Sequence, residues 1–194
     1  MDRTFLYNYL NKFSGLSEKD FEEGEQFWYS RTVKKGEFFN QRGVVCKELG
    51  VISKGLFRIY YYDDHTQEEK NVFFFSEHHF LISFHSFIRQ YPCSYFVEAL
   101  EDSEFIAIGY DHLQDLYSKS KGWEKMGRNL AEQYYEYSQL RMESLLFLKP
   151  EQRYIRLLQE HPHITDRIPL YHISSYLGIK NPSLSRIKKR INGK

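Results

Sequence analysis

The stretch Tyr171–Arg190, YHISSYLGIKNPSLSRIKKR, reads as two short helices joined by a tight turn. Ile173, Leu177, Ile179, Leu184 and Ile187 recur at helical spacing and would share a small core. Gly178 stands where the chain must turn with positive φ. The first helix is expected over Tyr171–Leu177 and the second over Ser183–Arg190, with Asn181 as its cap and Pro182 at its first position, where a missing N–H costs nothing. Helix, glycine turn and helix within about 20 residues make a helix-turn-helix. The second helix would present Ser183, Ser185, Arg186, Lys188, Lys189 and Arg190 outward. Short polar groups and an Arg near its start suit base edges, and cations further along suit phosphates.

Charge supports this reading. The 194 residues carry a net charge of +1, yet residues 149–194 hold ten Lys or Arg against three acids. That segment is +7 and the rest of the chain is −6. A solvated basic tail would show the same charge. The charge and the helix-turn-helix pattern together point to DNA.

Upstream, Pro150–Gln159 reads as a helix with Tyr154, Leu157 and Leu158 inward, and Ile168-Pro169-Leu170 as a short extended piece. Before it, Trp123, Met126, Leu130, Tyr134, Tyr137, Arg141 and Leu145 keep a three–four spacing to Leu148. Such a helix is about 40 Å long at about 1.5 Å per residue. The seam Trp123, Met126, Leu130, Tyr134 and Tyr137 is a candidate dimer interface, the alternative being a helix laid across its own domain. A shorter helix is expected over His112–Ser118, capped by Asp111.

From about Arg31 to Tyr110 short β-branched and aromatic runs alternate with turn signals, which suggests an all-β sandwich, roll or barrel. The first thirty residues read as helical, most clearly Ser17–Trp28, with Ser17 as cap and Phe21 and Phe27-Trp28 on one face. The expected division is 1–110 as a β-roll with an N-terminal helix, 111–148 as connecting and dimer helices, and 149–194 as the DNA-binding unit.

Composition narrows the class further. The chain is 18% aromatic, too much ring surface to leave in solvent. No apolar run reaches the roughly 18–20 residues of a membrane span, and the N-terminus lacks a secretory core, so a cytoplasmic protein with no membrane partner is expected. Cys46 and Cys93 are too few for a disulfide scaffold or an all-thiolate metal site, and no metal or cofactor is expected. His78, His79, His85 and Glu77 lack the spacing of a cupin-type site, and adjacent His78 and His79 would point to opposite faces of a strand. No phosphate loop, nucleophile elbow or paired-carboxylate motif occurs, so no catalysis is expected.

Several segments together resemble the Crp/Fnr family of bacterial transcription regulators, in the short form common in Bacteroidetes. They are Lys35-Gly36-Glu37, Gly43, Ser53-Lys54-Gly55-Leu56-Phe57-Arg58 and Ala99-Leu100-Glu101-Asp102-Ser103-Glu104 in the β-region. Leu148-Lys149-Pro150-Glu151-Gln152-Arg153-Tyr154, Ile173–Ile179 and Ser183–Ile187 complete the set, so the resemblance is nearly full length. It implies an α+β fold: a cyclic-nucleotide-binding-like β-roll, a long dimerisation helix and a C-terminal, winged-helix-like helix-turn-helix. It also implies a homodimer on a two-fold symmetric double-stranded DNA operator, with RNA polymerase a candidate further partner. The DNA-contacting set would be Lys180, Asn181, Ser183, Ser185, Arg186, Lys189 and Arg190.

Two departures matter. Family members that bind cyclic nucleotides carry a Gly-Glu pair for the ribose and an Arg for the phosphate. The matching stretch here, Phe80–Tyr95, has no Gly and no acid, and Cys93 holds the Arg position before Ser94. Arg89, the one cation nearby, is expected in a connecting loop. Cyclic AMP is therefore not expected as the effector. Phe73, Phe74, Phe75, Phe80, Phe84, Phe87 and Tyr95 either line an apolar pocket or are plain core. As a pocket, its lining would be Phe75, Ser83, Phe84, Cys93, Ser94 and Tyr95. The second departure is Pro182, which stands where relatives carry a Glu that reads cytosine, so the operator cannot be copied from them. The alternatives to a regulator are a metal-dependent cupin-like enzyme and a dimeric scaffold that no longer reads DNA.

Overall fold

The computed structural model describes residues 1–162 and 164–192. Lys194, counted above among the basic residues, lies outside them. Two helices open the chain, α1 (Arg3–Ser14) and α2 (Glu18–Gly24). Asp2 caps α1 and Ser17 caps α2, each accepting from a backbone N–H three residues on. The expected helix to Trp28 stops short. A single 3-10 turn, Glu25–Phe27, follows α2, and Trp28 already belongs to a strand. Gly24 marks the change because a side chain there would collide with Trp123 and Leu116.

Eight strands follow: β1 (Trp28–Val33), β2 (Phe38–Asn40), β3 (Glu48–Lys54), β4 (Phe57–Asp63), β5 (Glu68–Phe75), β6 (Phe80–Leu81), β7 (Phe96–Ala99) and β8 (Ser103–Gly109). They form two four-stranded antiparallel sheets, ordered β1-β8-β3-β6 and β2-β7-β4-β5. Ile52 and Phe105 of one sheet and Phe57 and Val97 of the other belong to one buried core, which Leu49, Val51 and Ile106 on the other face of the first sheet extend. Gly55 makes the β3–β4 turn at φ +114, tight enough that any side chain would overlap Ser103. A short helix, α3 (Phe84–Arg89), interrupts the roll and places Arg89 in its last turn rather than in a loop.

Gly109 leads into α4 (Tyr110–Lys119), so Asp111 lies inside the first turn and does not cap the helix. Ser120 caps α5 (Lys121–Phe147) by accepting from the N–H groups of Gly122 and Trp123. Four helices complete the described chain: α6 (Pro150–Glu160), α7 (Ile164–Arg167), α8 (Leu170–Leu177) and α9 (Asn181–Asn192). Pro150 opens α6, where it lacks only an N–H that would be unpaired anyway, and the Lys149 N–H donates to the Gln152 side chain. Tyr154, Leu157, Ile164, Ile168, Ile173, Leu177, Leu184 and Ile187 form a second core, joined by Leu56 and Phe74 from the roll. No strand follows β8 among the described residues, so α8 and α9 stand there without the strands of a wing.

The seam expected to pair two copies belongs instead to the chain's own core. Trp123 and Met126 are fully buried and Leu130 is 4% exposed. The Trp123 indole N–H donates to the carbonyl of Asp20 and its ring stacks on Trp28. Tyr134 stacks on Phe84 with ring centroids 4.3 Å apart, and Tyr137 packs on the same core. The reason is geometric: α4 and α5 fold back over α1, α2 and the roll, and a three–four stripe serves that burial as well as a dimer.

Candidate DNA-reading helix and effector cavities

Between α8 and α9, Gly178 ends α8 in the left-handed region at φ 65 and donates to the carbonyls of Ser174 and Ser175. Leu184 and Ile187 turn inward, 1% and 5% exposed, against Ile173 and Leu177. The opposite side of α9 then faces solvent. Lys180, Asn181, Ser183, Ser185, Arg186, Lys189 and Arg190 are all exposed, and Lys188 is half-buried.

Within that set the structure separates engaged side chains from free ones. Asn181 is not the cap but the first helical residue; the Lys180 carbonyl accepts from the N–H groups of Ser183 and Leu184. The Asn181 side chain accepts from the Ser174 hydroxyl and so holds α9 to α8. Ser185 donates to the Asn181 carbonyl, and Arg190 pairs with Glu151 at 3.0 Å. Arg186 takes no carboxylate among the described residues.

The unit is fastened to the roll by α8. Strand β5 is a sheet edge whose free N–H and C=O groups need partners. Ser175 supplies both, donating to the Glu69 carbonyl at 2.6 Å and accepting from the Asn71 N–H at 3.0 Å. Arg167 of α7 adds two-pronged bonds to Glu77 at 2.9 Å each and reaches Glu101. Burial alone would raise the Glu77 carboxyl, but Arg167 and the Gly55 N–H outweigh it and bring it down to about 2. None of these polar links was foreseen from the sequence, because each joins residues 66 to 106 positions apart.

Two cavities flank α5. The first, about 500 Å³, opens between the roll and α5. Ser83, Phe84, Cys93, Ser94 and Tyr95 line it, together with Tyr134, Arg141, Met142 and Leu146. Phe75, expected among them, does not; it lines the second cavity. The lining holds no carboxylate and one Arg, Arg141, which comes from the long helix and not from the Phe80–Tyr95 stretch. At the expected phosphate position, the buried Cys93 thiol exchanges hydrogen bonds with Ser83 at 2.7 Å and Tyr95 at 3.2 Å. Cys46 is buried, and its thiol is pushed up to about 11 by burial. The second cavity, about 330 Å³, lies between β5, α5, α6 and α8.

His78 and His79 sit in the turn before β6, not on a strand. His78 packs on Phe5, His79 on Phe75 and His161, and Glu77 is held by Arg167, so the three diverge. Among the described residues no cluster of three His, Cys, Asp or Glu is placed to hold a metal. No described helix is long and apolar enough to cross a membrane.

The cyclic nucleotide-binding domain family matches residues 30–120, which run from the third residue of β1 to the end of α4. No curated protein sequence matches the chain. Among solved structures, the fold is similar to the c-di-GMP responsive global regulator CLP of Xanthomonas campestris, at 16% identity and TM-score 0.71, over 91% of this chain and 92% of that one. It is similar to FixK2 of Bradyrhizobium japonicum, at 13% identity and TM-score 0.75, over 86% and 85%. It is also similar to a protein of Eubacterium rectale described as a transcriptional regulator of the crp/fnr family, at 17% identity and TM-score 0.74, over 96% and 89%. The chain therefore carries a cyclic nucleotide-binding-type roll followed by helices, in the architecture of Crp/Fnr regulators.

Proposed function

We propose that the protein is a homodimeric, DNA-binding transcription regulator of the Crp/Fnr type that performs no catalysis and does not answer to cyclic AMP. The observation that carries this reading is the outward face of α9. Its apolar residues are consumed in the core, and Ser183, Arg186 and Lys189 are left exposed on one helix. An exposed Arg beside short polar groups near a helix start can reach base edges in a major groove. Basic charge concentrated in the same segment supplies the phosphate attraction.

Dimerisation is assigned to a different face of α5 from the buried seam. Tyr135, Met142 and Leu146, seven and four residues apart, are 70%, 54% and 67% exposed. They form an apolar stripe about a third of a turn around from Trp123 and Leu130, at the spacing that pairs helices. The roll's cavity speaks against cyclic AMP: no acid meets a ribose there, and Cys93 stands where a phosphate needs a cation. The deciding experiment is a gel shift with the DNA upstream of the protein's own gene. A retarded band at nanomolar protein, lost in Arg186→Ala, is expected; no shift at micromolar protein would favour the non-reading scaffold.

A further inference from the structure

The second cavity holds more positive charge than the chain neutralises. Arg141, Arg153 and Arg156 line it with His79 and His161, and Glu160 is the single carboxylate. Glu160 is taken by Arg156 at 2.6 Å. Arg141 and Arg153 are left without an acid: Arg141 donates to the Tyr176 carbonyl and Arg153 to the Leu145 carbonyl. The Nε of each is buried with no hydrogen-bond partner. Both residues are half-buried, and a guanidinium drawn partly away from water is ordinarily paired, because an uncompensated charge is costly there. Burial, and then Arg153, lowers the Arg141 guanidinium below its usual value, and burial followed by His79 lowers His161. The Arg141 guanidinium also lies over the Tyr176 ring, 3.7 Å from its centroid. Phe73, Phe75 and Tyr137 supply apolar and aromatic wall.

The geometry points to a binding site for a small organic oxyanion, a carboxylate or phosphomonoester on a flat apolar body, held by Arg141 and Arg153 against the aromatic wall. A guanidinium matches such a group with two parallel N–H bonds. About 330 Å³ accepts a compound of one or two rings. The site is separate from the roll's cavity, although Arg141 borders both. Its walls come from β5 and α5 on one side and from α6 and α8 on the other. A ligand seated there touches both units, and its binding favours the arrangement seen here over any in which they separate. This inference stands whether or not α9 reads DNA.

The test is calorimetry on the full chain with benzoate and phenyl phosphate as probes and benzamide as the neutral control. Saturable binding of at least one anion below about 1 mM and none of benzamide is expected. Arg153→Gln weakens it about tenfold or more, in the range of a lost charge-assisted bond, and Arg153→Lys retains part. Tyr95→Ala, which alters only the roll's cavity, leaves it unchanged. Arg141→Gln repeats the measurement should Arg153→Gln fail to fold. Absence of binding by both anions, equal binding of benzamide, or affinity unaffected by loss of either Arg overturns the site, and loss of binding in Tyr95→Ala moves the ligand to the roll.

Discussion

Arg58 on β4 donates from Nη1 to the Nδ1 of His172 on α8 at 2.8 Å, joining the roll to the C-terminal helices. Arg58 is 4% exposed and also holds Glu69 and Glu98. His172 must therefore accept, which requires a neutral imidazole. Burial, and then the Arg58 charge, pushes His172 down to about 4, with Glu69 opposing. Asn71 and Tyr171 complete its surroundings.

The sign of the pH effect follows. A base whose folded pKa is depressed contributes its full stability above its unfolded value, here 6.5, and loses it as pH falls toward about 4. The melting temperature is expected to drop over that window. In His172→Gln, whose amide oxygen can still accept from Arg58, the drop is smaller. Equal drops in both proteins would remove His172 as the cause.

Arg167 offers an independent handle on the same junction. Its pairs with Glu77 and Glu101 are about a third exposed, so solvent screens them. Arg167→Ala is expected to cost up to about 1 kcal/mol and to raise protease cleavage between α6 and α8. Glu77, held down to about 2, stabilises the fold above its ordinary carboxylate range and loses that contribution as pH falls through about 2. Wild type and Arg167→Ala should therefore converge in stability at strongly acidic pH, measured by denaturant titration.

On the long helix, substitutions at two faces should give different failures. Met142→Glu or Leu146→Glu is expected to yield a folded monomer by light scattering, because both side chains are exposed. Leu130→Glu is expected to destabilise the chain itself by several kcal/mol, since it buries a charge in the core. A folded, dimeric Leu146→Glu protein would move the interface elsewhere.

These two faces show how far the sequence could be read. Strand runs, the Gly178 turn and the inward Leu184 and Ile187 follow local rules, and so the architecture was legible. The three–four spacing of Trp123, Met126 and Leu130 says that a face is buried but not against what. The answer lay in Gly24, which admits Trp123 only at a distance no side chain would allow. Arg141 escaped for a related reason. It shares the inward seam of α5, and nothing in its neighbours marks it as the cation between two cavities. Asn181 obeys the capping preference in composition but turns its amide to Ser174, a contact made possible only once α8 and α9 have docked.

Cyclic nucleotides should fail in the roll's cavity. Cyclic AMP and cyclic GMP are expected to show no saturable heat up to millimolar concentration, given the absence of a carboxylate in its lining and the Ser83–Cys93 contact at the phosphate position. Micromolar binding of either would overturn this. A Cys93→Arg protein that gains cyclic AMP binding would show that the missing cation, rather than the cavity's shape, is the barrier.

Arg186 is the sharpest prediction about sequence reading. It stands exposed one turn into α9, without a carboxylate partner among the described residues, whereas Arg190 is drawn to Glu151. A guanidinium can bond the O6 and N7 acceptors of guanine together, worth about 1–3 kcal/mol for a good pair. Two half-sites under a dimer would double that cost. Lys189, exposed on the same helix, is expected to meet phosphate, which carries salt dependence and little sequence information. The measurement is affinity for a selected operator and for random DNA, with wild type, Arg186→Ala and Lys189→Ala, at two salt concentrations. Arg186→Ala should lose operator affinity by tenfold or more while random-DNA affinity falls far less. Lys189→Ala should weaken both by the same factor and flatten the salt slope by about one ion per half-site. An Arg186→Ala protein that keeps the wild-type ratio of operator to random binding would remove Arg186 from the reading set and shift the search to Ser183 and Lys180, its exposed neighbours at the start of the helix.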